Sequence, residues 1–133
     1  MDVSIFERSL QAYFEAFAEN DEGPRRALLA KCMTENAGIW GPQRLFKGHE
    51  GISEKIEGFH ERMPGARLVL TSGLNIFENV ARFKVAIINP DGSTRSEGET
   101  VIEMAEDGRI LRVVPFWEPT PPLPESWPRH LGP

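Results

Sequence analysis

Apolar residues recur at helical spacing in three segments of the N-terminal half of the chain. In residues 3–19 they form one stripe of an amphipathic helix: Val3, Phe6, Leu10, Tyr13, Phe14 and Phe17. Ser4 and Glu7 have the spacing of a capping box at its start. A second helix is expected to begin near Pro24, with inward residues Ala27, Leu28, Cys32 and Met33. A third carries Ile52, Ile56, Phe59 and Met63 on one face and ends at Pro64-Gly65.

The pattern changes to that of β-strands between residues 66 and 117, after a short predicted strand at Ala37 to Trp40. Four β-rich runs are separated by turn signals at Glu78-Asn79, Asn89-Pro90-Asp91-Gly92 and Glu106-Asp107-Gly108. Phe83, Val85 and Ile87 alternate with polar or small residues, and Thr100, Ile102 and Met104 share one face of the next run. Pro115 in the last run predicts an edge, a bulge or a strand end. Helices followed by an antiparallel meander predict an α+β fold.

The chain divides into one domain, residues 1–118, and a proline-rich tail, residues 119–133. Six prolines fall in the tail, which is typical of an extended polyproline-like segment. Leu123 and Trp127 could anchor the tail on the domain or across a dimer partner, and this interpretation is favoured. The alternative is a free ligand for a partner with an aromatic groove.

Composition narrows the class of protein. The chain has 133 residues, 15 basic and 20 acidic, with a net charge of −5. The acidic balance argues against a nucleic-acid partner, and no apolar run is long enough to span a membrane. Cys32 is the single cysteine, so no internal disulfide can form, and we expect a buried, inert thiol. With no signal peptide visible at the N-terminus, a cytoplasmic location is the default expectation.

Three local patterns, in order, carry a resemblance to a known superfamily. They are Tyr13 to Asp21 ending the first helix, Gly48-His49-Glu50-Gly51-Ile52 opening the third helix, and Glu106 to Ile110 continuing to Phe116-Trp117. The chain resembles the nuclear transport factor 2-like superfamily, which includes ketosteroid isomerase, scytalone dehydratase and SnoaL-like polyketide cyclases. The resemblance implies three helices packed on a strongly curved antiparallel sheet, a cone-shaped pocket open at one end, and a homodimer.

The same resemblance argues against ketosteroid isomerase activity. The base of that enzyme lies in the strand before the third helix, where this chain has Ile39-Trp40-Gly41-Pro42, and Thr100 matches the position of its second acid. Tyr13 alone has a counterpart, and a hydrogen-bond donor without a base does not complete proton transfer beside a carbonyl. SnoaL-like cyclases often place an acid after the final tryptophan, and Glu118 matches that position.

Three residues are candidates for catalysis: Tyr13 as a donor, and His60 or Glu118 as an acid or base. For Tyr13 and His60 a purely structural role, in the core and on the helix flank respectively, is the competing interpretation. Candidate ligand-binding residues are Phe17, Trp40, Phe59, Met63, Thr100 and Trp117. Phe83 is interpreted as core, and Lys55 as a surface residue.

No metal or cofactor is expected. His49 and His60 would stand about 16 Å apart on one helix, and Glu57-x-x-His60 occurs once where a helical di-metal site needs it twice. The sequence contains no phosphate-binding loop and no dinucleotide fingerprint.

Two function classes remain open. One is an enzyme of the cyclase, isomerase or dehydratase kind that acts on a small hydrophobic ligand. The other is a non-catalytic ligand-binding or dimerisation module. In both, Val101 and its neighbours on the outer sheet face predict a homodimer through the sheet.

Overall fold

The computed structural model describes residues 1–133 and confirms the α+β class, with three helices on a curved, unclosed seven-stranded sheet. The elements, in order, are α1 (Val3–Ala18), α2 (Glu22–Cys32), β1 (Met33–Trp40), β2 (Leu45–Lys47), α3 (Gly48–Arg62), β3 (Arg67–Leu70), β4 (Asn75–Phe77), β5 (Val80–Ile88), β6 (Thr94–Met104) and β7 (Ile110–Phe116). A short 3-10 turn, Arg129–Leu131, follows in the tail.

The strand order is β2-β1-β7-β6-β5-β3, with β4 also paired to β5. All pairs are antiparallel except β1 with β7, so the sheet is mixed rather than wholly antiparallel. The chain between β1 and β7 includes α3 and most of the sheet, which is the long crossover that a parallel pair requires. The parallel pair joins the first strand to the last and places α3 against β1.

The first β-rich run of the prediction is two strands, so the region from residue 66 onward has five strands rather than four. The break falls at residues 71–74, where the Ser72 hydroxyl accepts the Lys84 amide at 2.7 Å and so replaces a backbone partner of β5. The chain then returns to pair Asn75 with Arg82.

The turn predictions hold in detail. Gly92 and Gly108 have φ of 88° and 84°, the left-handed conformation expected where each hairpin closes. Glu78 adopts φ 55° in the two-residue turn between β4 and β5. Pro115 lies opposite Thr100 near the end of β7, beyond the last residue of β7 that pairs with β1, which fits the predicted strand end.

Two details of the helices differ from the sequence analysis. Asp2, not Ser4, is the N-cap of α1, and its carboxylate accepts the Ser4 amide at 3.3 Å. On α2, Ala27 is exposed and the buried residues are Arg25, Leu29 and Cys32. The Arg25 guanidinium turns inward because it donates to the carbonyls of Glu19 and Asn20, which follow α1.

One hydrophobic core lies between the helices and the concave face of the sheet. The predicted stripe of α1 supplies Phe6, Leu10, Tyr13 and Phe17, and the inner face of β6 supplies Ile102 and Met104. The core is incomplete at one end, between α1, α3 and strands β5 to β7, and the gap there is the cavity described next.

Candidate functional site

A cavity of about 120 Å3 lies between α1, α3 and the inner face of the sheet. Ten of its fourteen lining residues are hydrophobic. The lining consists of Tyr13, Phe17, Ile39, Lys55, Phe59, Arg62, Met63, Leu68, Phe83, Val85, Ile87, Thr100, Pro115 and Trp117. It includes no carboxylate and no imidazole.

Aromatic side chains of α1 and α3 form one wall of the cavity. The Tyr13 and Phe17 rings lie 5.1 Å apart between centroids, and Phe17 meets Phe59 of α3 edge to face at 6.0 Å. All three residues are at most 6% exposed. The helical spacing of Tyr13 and Phe17 places them one turn apart on the same face, so the stripe that packs the core also continues into the cavity.

Trp117 forms part of the opposite wall, and Gly98 makes room for it. A Cβ added to Gly98 would lie 2.7 Å from Cε3 of the indole and 2.8 Å from the Phe116 carbonyl oxygen. Gly98 pairs with Val85, another lining residue. A glycine at this point of β6 therefore permits the close approach of the indole to the strand.

The uncharged polar groups of the cavity lining are two hydroxyls, those of Tyr13 and Thr100. Both residues are 4% exposed, and neither hydroxyl has a hydrogen-bond partner within the chain. Burial, and secondarily the nearby Cys32, raises the pKa of Tyr13 well above its ordinary value, so the phenol stays protonated at neutral pH. It can act as a hydrogen-bond donor to a ligand.

Lys55 and Arg62 supply the positive charges in the lining. Seven residues apart on α3, they share one face of the helix, with Arg62 exposed and Lys55 half-buried. Burial lowers the pKa of Lys55, and the positive charges of Arg62 and Arg44 lower it further. Lys55 was interpreted as a surface residue from the sequence, and the structure places it in the cavity lining instead.

Comparison with solved structures identifies the family. A structure from Agrobacterium tumefaciens, described as a candidate isomerase of the SnoaL-like family, is 31% identical over 87% of this chain and 99% of that chain, with a TM-score of 0.79. The chain belongs to the SnoaL-like family.

Other solved structures share the fold at lower identity. A candidate SnoaL-like polyketide cyclase from Jannaschia matches at 13% identity and a TM-score of 0.67, with 85% of each chain covered. A de novo designed protein with a curved β-sheet matches equally well, at 13% identity and a TM-score of 0.67 over 90% of this chain and 89% of that chain. No family model and no curated protein matches the sequence. Because a designed protein has the same fold, the fold alone assigns no activity to this SnoaL-like chain.

Six of the nine predicted site residues lie together in the cavity lining: Tyr13, Phe17, Phe59, Met63, Thr100 and Trp117. Phe83, interpreted as core, is both buried and part of the lining. The other three predicted residues, Trp40, His60 and Glu118, lie outside it.

His60 contacts the end of α1 rather than the cavity. Its Nε2 lies 2.5 Å from the Phe17 carbonyl oxygen, which can only accept, so Nε2 carries the hydrogen. Its Nδ1 lies 2.6 Å from Oδ1 of the Asn20 side chain. Nε2 thus donates to a carbonyl in the last turn of α1, where unpaired helix carbonyls need donors, and Nδ1 contacts a residue that follows the helix. His60 positions Phe17 within the cavity wall.

Trp40 and Glu118 lie on other surfaces. Trp40 is 36% exposed, and the Arg112 guanidinium stacks on its ring at 4.6 Å. Glu118 lines a wide, charged groove on the sheet, where the tail residues Pro119 to Pro121 also lie. Trp117 and Val85 line both this groove and the cavity, whereas Glu118 lines the groove alone.

The remaining predicted features are structural. Cys32 is fully buried, and burial raises the pKa of its thiol to about 12, which is a setting for an unreactive thiol. The chain brings together no three side chains of the His, Cys, Asp or Glu type that could hold a metal ion. None of the helices has the length and hydropathy needed to cross a bilayer.

In the tail, Leu123 and Trp127 are 56% and 53% exposed, so neither is buried against the domain within one chain.

Proposed function

We propose that this SnoaL-like protein binds a small, largely apolar molecule in the cavity between α1, α3 and the sheet. The observation that carries the proposal is an apolar cavity with two unpartnered hydroxyls, Tyr13 and Thr100. Binding pockets combine a hydrophobic lining with a few polar groups that orient the ligand. An apolar cavity of about 150 Å3 accepts benzene, so about 120 Å3 suits a ligand built on one small ring or a short aliphatic chain.

The three tryptophans provide a direct test of where such a ligand binds. Each indole N–H gives its own resonance in a nitrogen-15 correlation spectrum, and the three residues occupy different environments: the cavity wall, the outer sheet and the tail. On titration with benzamide, a neutral one-ring probe, the Trp117 resonance should shift, while those of Trp40 and Trp127 should not.

A matched pair of variants completes the test. Trp117→Ala should weaken benzamide binding about tenfold, and Trp40→Ala, the same change outside the cavity, should leave it unchanged. Binding that is equally sensitive to both changes, or no shift of Trp117 at millimolar benzamide, would contradict the proposal.

A catalytic role in carbonyl chemistry is the second candidate, since a 31% identical relative is described as a candidate isomerase. One observation favours it: the buried Tyr13 phenol is held protonated beside the cavity, where it can donate to a carbonyl oxygen. The lining has no carboxylate base, so we expect no ketosteroid isomerase activity.

Deuterium exchange into the methyl group of acetophenone, followed by proton NMR, tests the catalytic candidate. If the protein accelerates exchange, Tyr13→Phe should reduce the rate about a hundredfold, the usual scale for acid–base assistance. His60→Ala and Glu118→Ala should retain it, because neither side chain lines the cavity. No acceleration by the unaltered protein would contradict this catalytic candidate and leave the proposed binding function standing.

A further inference from the structure

The charged side chains that line the cavity all have the same sign. Lys55 and Arg62 are positive, and no Asp or Glu is among the lining residues, although acidic residues outnumber basic ones by 20 to 15 in the chain. The acidic residues of the chain therefore lie outside the cavity lining, and no lining carboxylate neutralises the positive charges of Lys55 and Arg62.

These cations also lack ion-pair partners. The four salt bridges of the protein use Arg26, Arg82, Arg109 and Arg112. Lys55, Arg62 and the neighbouring Arg44 take part in none. A cation without a counter-ion is ordinary on an open surface, but Lys55 is half-buried, and burial of an unpaired charge is costly.

Packing holds the Lys55 ammonium in place. Its Nζ lies 4.7 Å from the centre of the Phe46 ring, and the Arg44 guanidinium carbon lies 4.1 Å from the same centre. The two cations therefore share one aromatic ring and repel each other. Burial lowers the pKa of Lys55, and repulsion by Arg62 and then by Arg44 lowers it further. An anion placed between Lys55 and Arg62 would relieve this repulsion.

We propose that the ligand is a small carboxylate whose apolar body fills the aromatic cavity and whose carboxylate lies between Lys55 and Arg62. Arg62 is the exposed one of the two, so the charged end of the ligand lies at the open side of the cavity. Guanidinium and ammonium groups both bind carboxylates through charge-assisted hydrogen bonds. The inference rests on the proposed binding function and adds the charge of the ligand to it.

Benzoate and benzamide test the inference, because they share ring and shape and differ in charge. Measured by calorimetry at low ionic strength, benzoate should bind the unaltered protein at least tenfold more tightly than benzamide. Lys55→Met and Arg62→Gln should each weaken benzoate about tenfold and benzamide by much less, so that the preference for benzoate over benzamide falls. Lys31→Met, which removes the same charge from an exposed site on α2, should change neither.

The possible results distinguish the carboxylate inference from the proposed binding function on which it rests. Two results would overturn the carboxylate inference and leave the binding function standing. One is that benzamide binds as tightly as benzoate. The other is that Lys31→Met lowers the affinity for benzoate as much as Lys55→Met does. Failure of both probes to bind at millimolar concentration overturns both. Raising the salt concentration from 0.05 to 0.5 M should weaken benzoate only, since screening acts on the charge contact.

Discussion

Gly98→Ala should destabilise the protein and disturb the cavity together, because one methyl group would displace Trp117. The added Cβ would stand 2.7 Å from Cε3 and 3.1 Å from Cδ2 of the indole. Carbon atoms at optimal contact lie about 3.5 to 4.0 Å apart, so the ring must retreat by roughly 1 Å. The Phe116 carbonyl oxygen, 2.8 Å from the same Cβ, is backbone and cannot rotate away.

The expected cost follows from these contacts. Overpacking a well-filled site costs about 1 to 3 kcal/mol. The alanine also restricts the unfolded chain, which offsets about 0.4 to 1 kcal/mol. A net loss of about 1 to 2 kcal/mol should lower the melting temperature by roughly 3 to 10 °C for a domain of this size.

Thermal unfolding followed by circular dichroism measures the effect, and two controls isolate its cause. Gly73→Ala introduces the same methyl group where nothing lies within 4 Å, and it should be neutral or slightly stabilising. In a Trp117→Ala background the two indole contacts are absent, so Gly98→Ala should cost less there than in the unaltered protein. If Gly98→Ala is tolerated as well as Gly73→Ala, the close approach of Trp117 to β6 is not what shapes this wall.

Three further predictions concern His60, Cys32 and the outer face of the sheet. His60→Ala should lower the free energy of unfolding by about 1 to 3 kcal/mol, because the Phe17 carbonyl loses its donor. The affinity for benzamide should stay within a few-fold of that of the unaltered protein. Glu57→Ala, the control, should change neither the stability nor the affinity. The pKa of Cys32 rises from 9.0 in the unfolded chain to about 12 in the folded protein, so between these pH values only the unfolded state releases the thiol proton. The free energy of unfolding, measured by urea titration, should therefore fall by up to about 1.4 kcal/mol per pH unit in this range. Cys32→Ala should remove this part of the pH dependence. If the sheet face forms a homodimer, light scattering should give twice the 15.0 kDa mass of the chain. Val101→Lys should convert the dimer to a monomer. A mass of 15.0 kDa for the unaltered chain at micromolar concentration would refute the dimer.

Periodicity predicted the elements whose burial is local and missed those whose pairing is distant. The α1 stripe and the inner face of β6 were found because each buried position repeats at the period of its own element. The parallel pairing of β1 with β7 joins residues more than seventy positions apart, and no local pattern carries that information. The break between β3 and β4 depends on one side chain, Ser72, replacing a backbone partner.

The cavity residues were partly predictable for the same reason. Tyr13, Phe17, Phe59 and Met63 continue apolar stripes, so the prediction of where they face was independent of any ligand. The outward position of Trp40 follows from the alternation of side chains along a strand. Ile39 is buried and lines the cavity, so Trp40, the next residue of β1, must face the other side of the sheet. Lys55 had a similar signal, since it lies four residues before Phe59 and on its face of α3.

The charge of the cavity sets a limit on the chemistry that this member of the SnoaL-like family can perform. A carboxylate base in an apolar cavity would repel an anionic ligand and favour a neutral carbonyl compound, whereas Lys55 and Arg62 stabilise negative charge on whatever lies beside them. Of the functional groups of the lining, Lys55 and Arg62 carry positive charge. The protonated Tyr13 phenol and the Thr100 hydroxyl can each donate or accept a hydrogen bond. Such a lining favours a bound anion, and the one side chain of the lining that could act as a base is Lys55, whose pKa burial lowers.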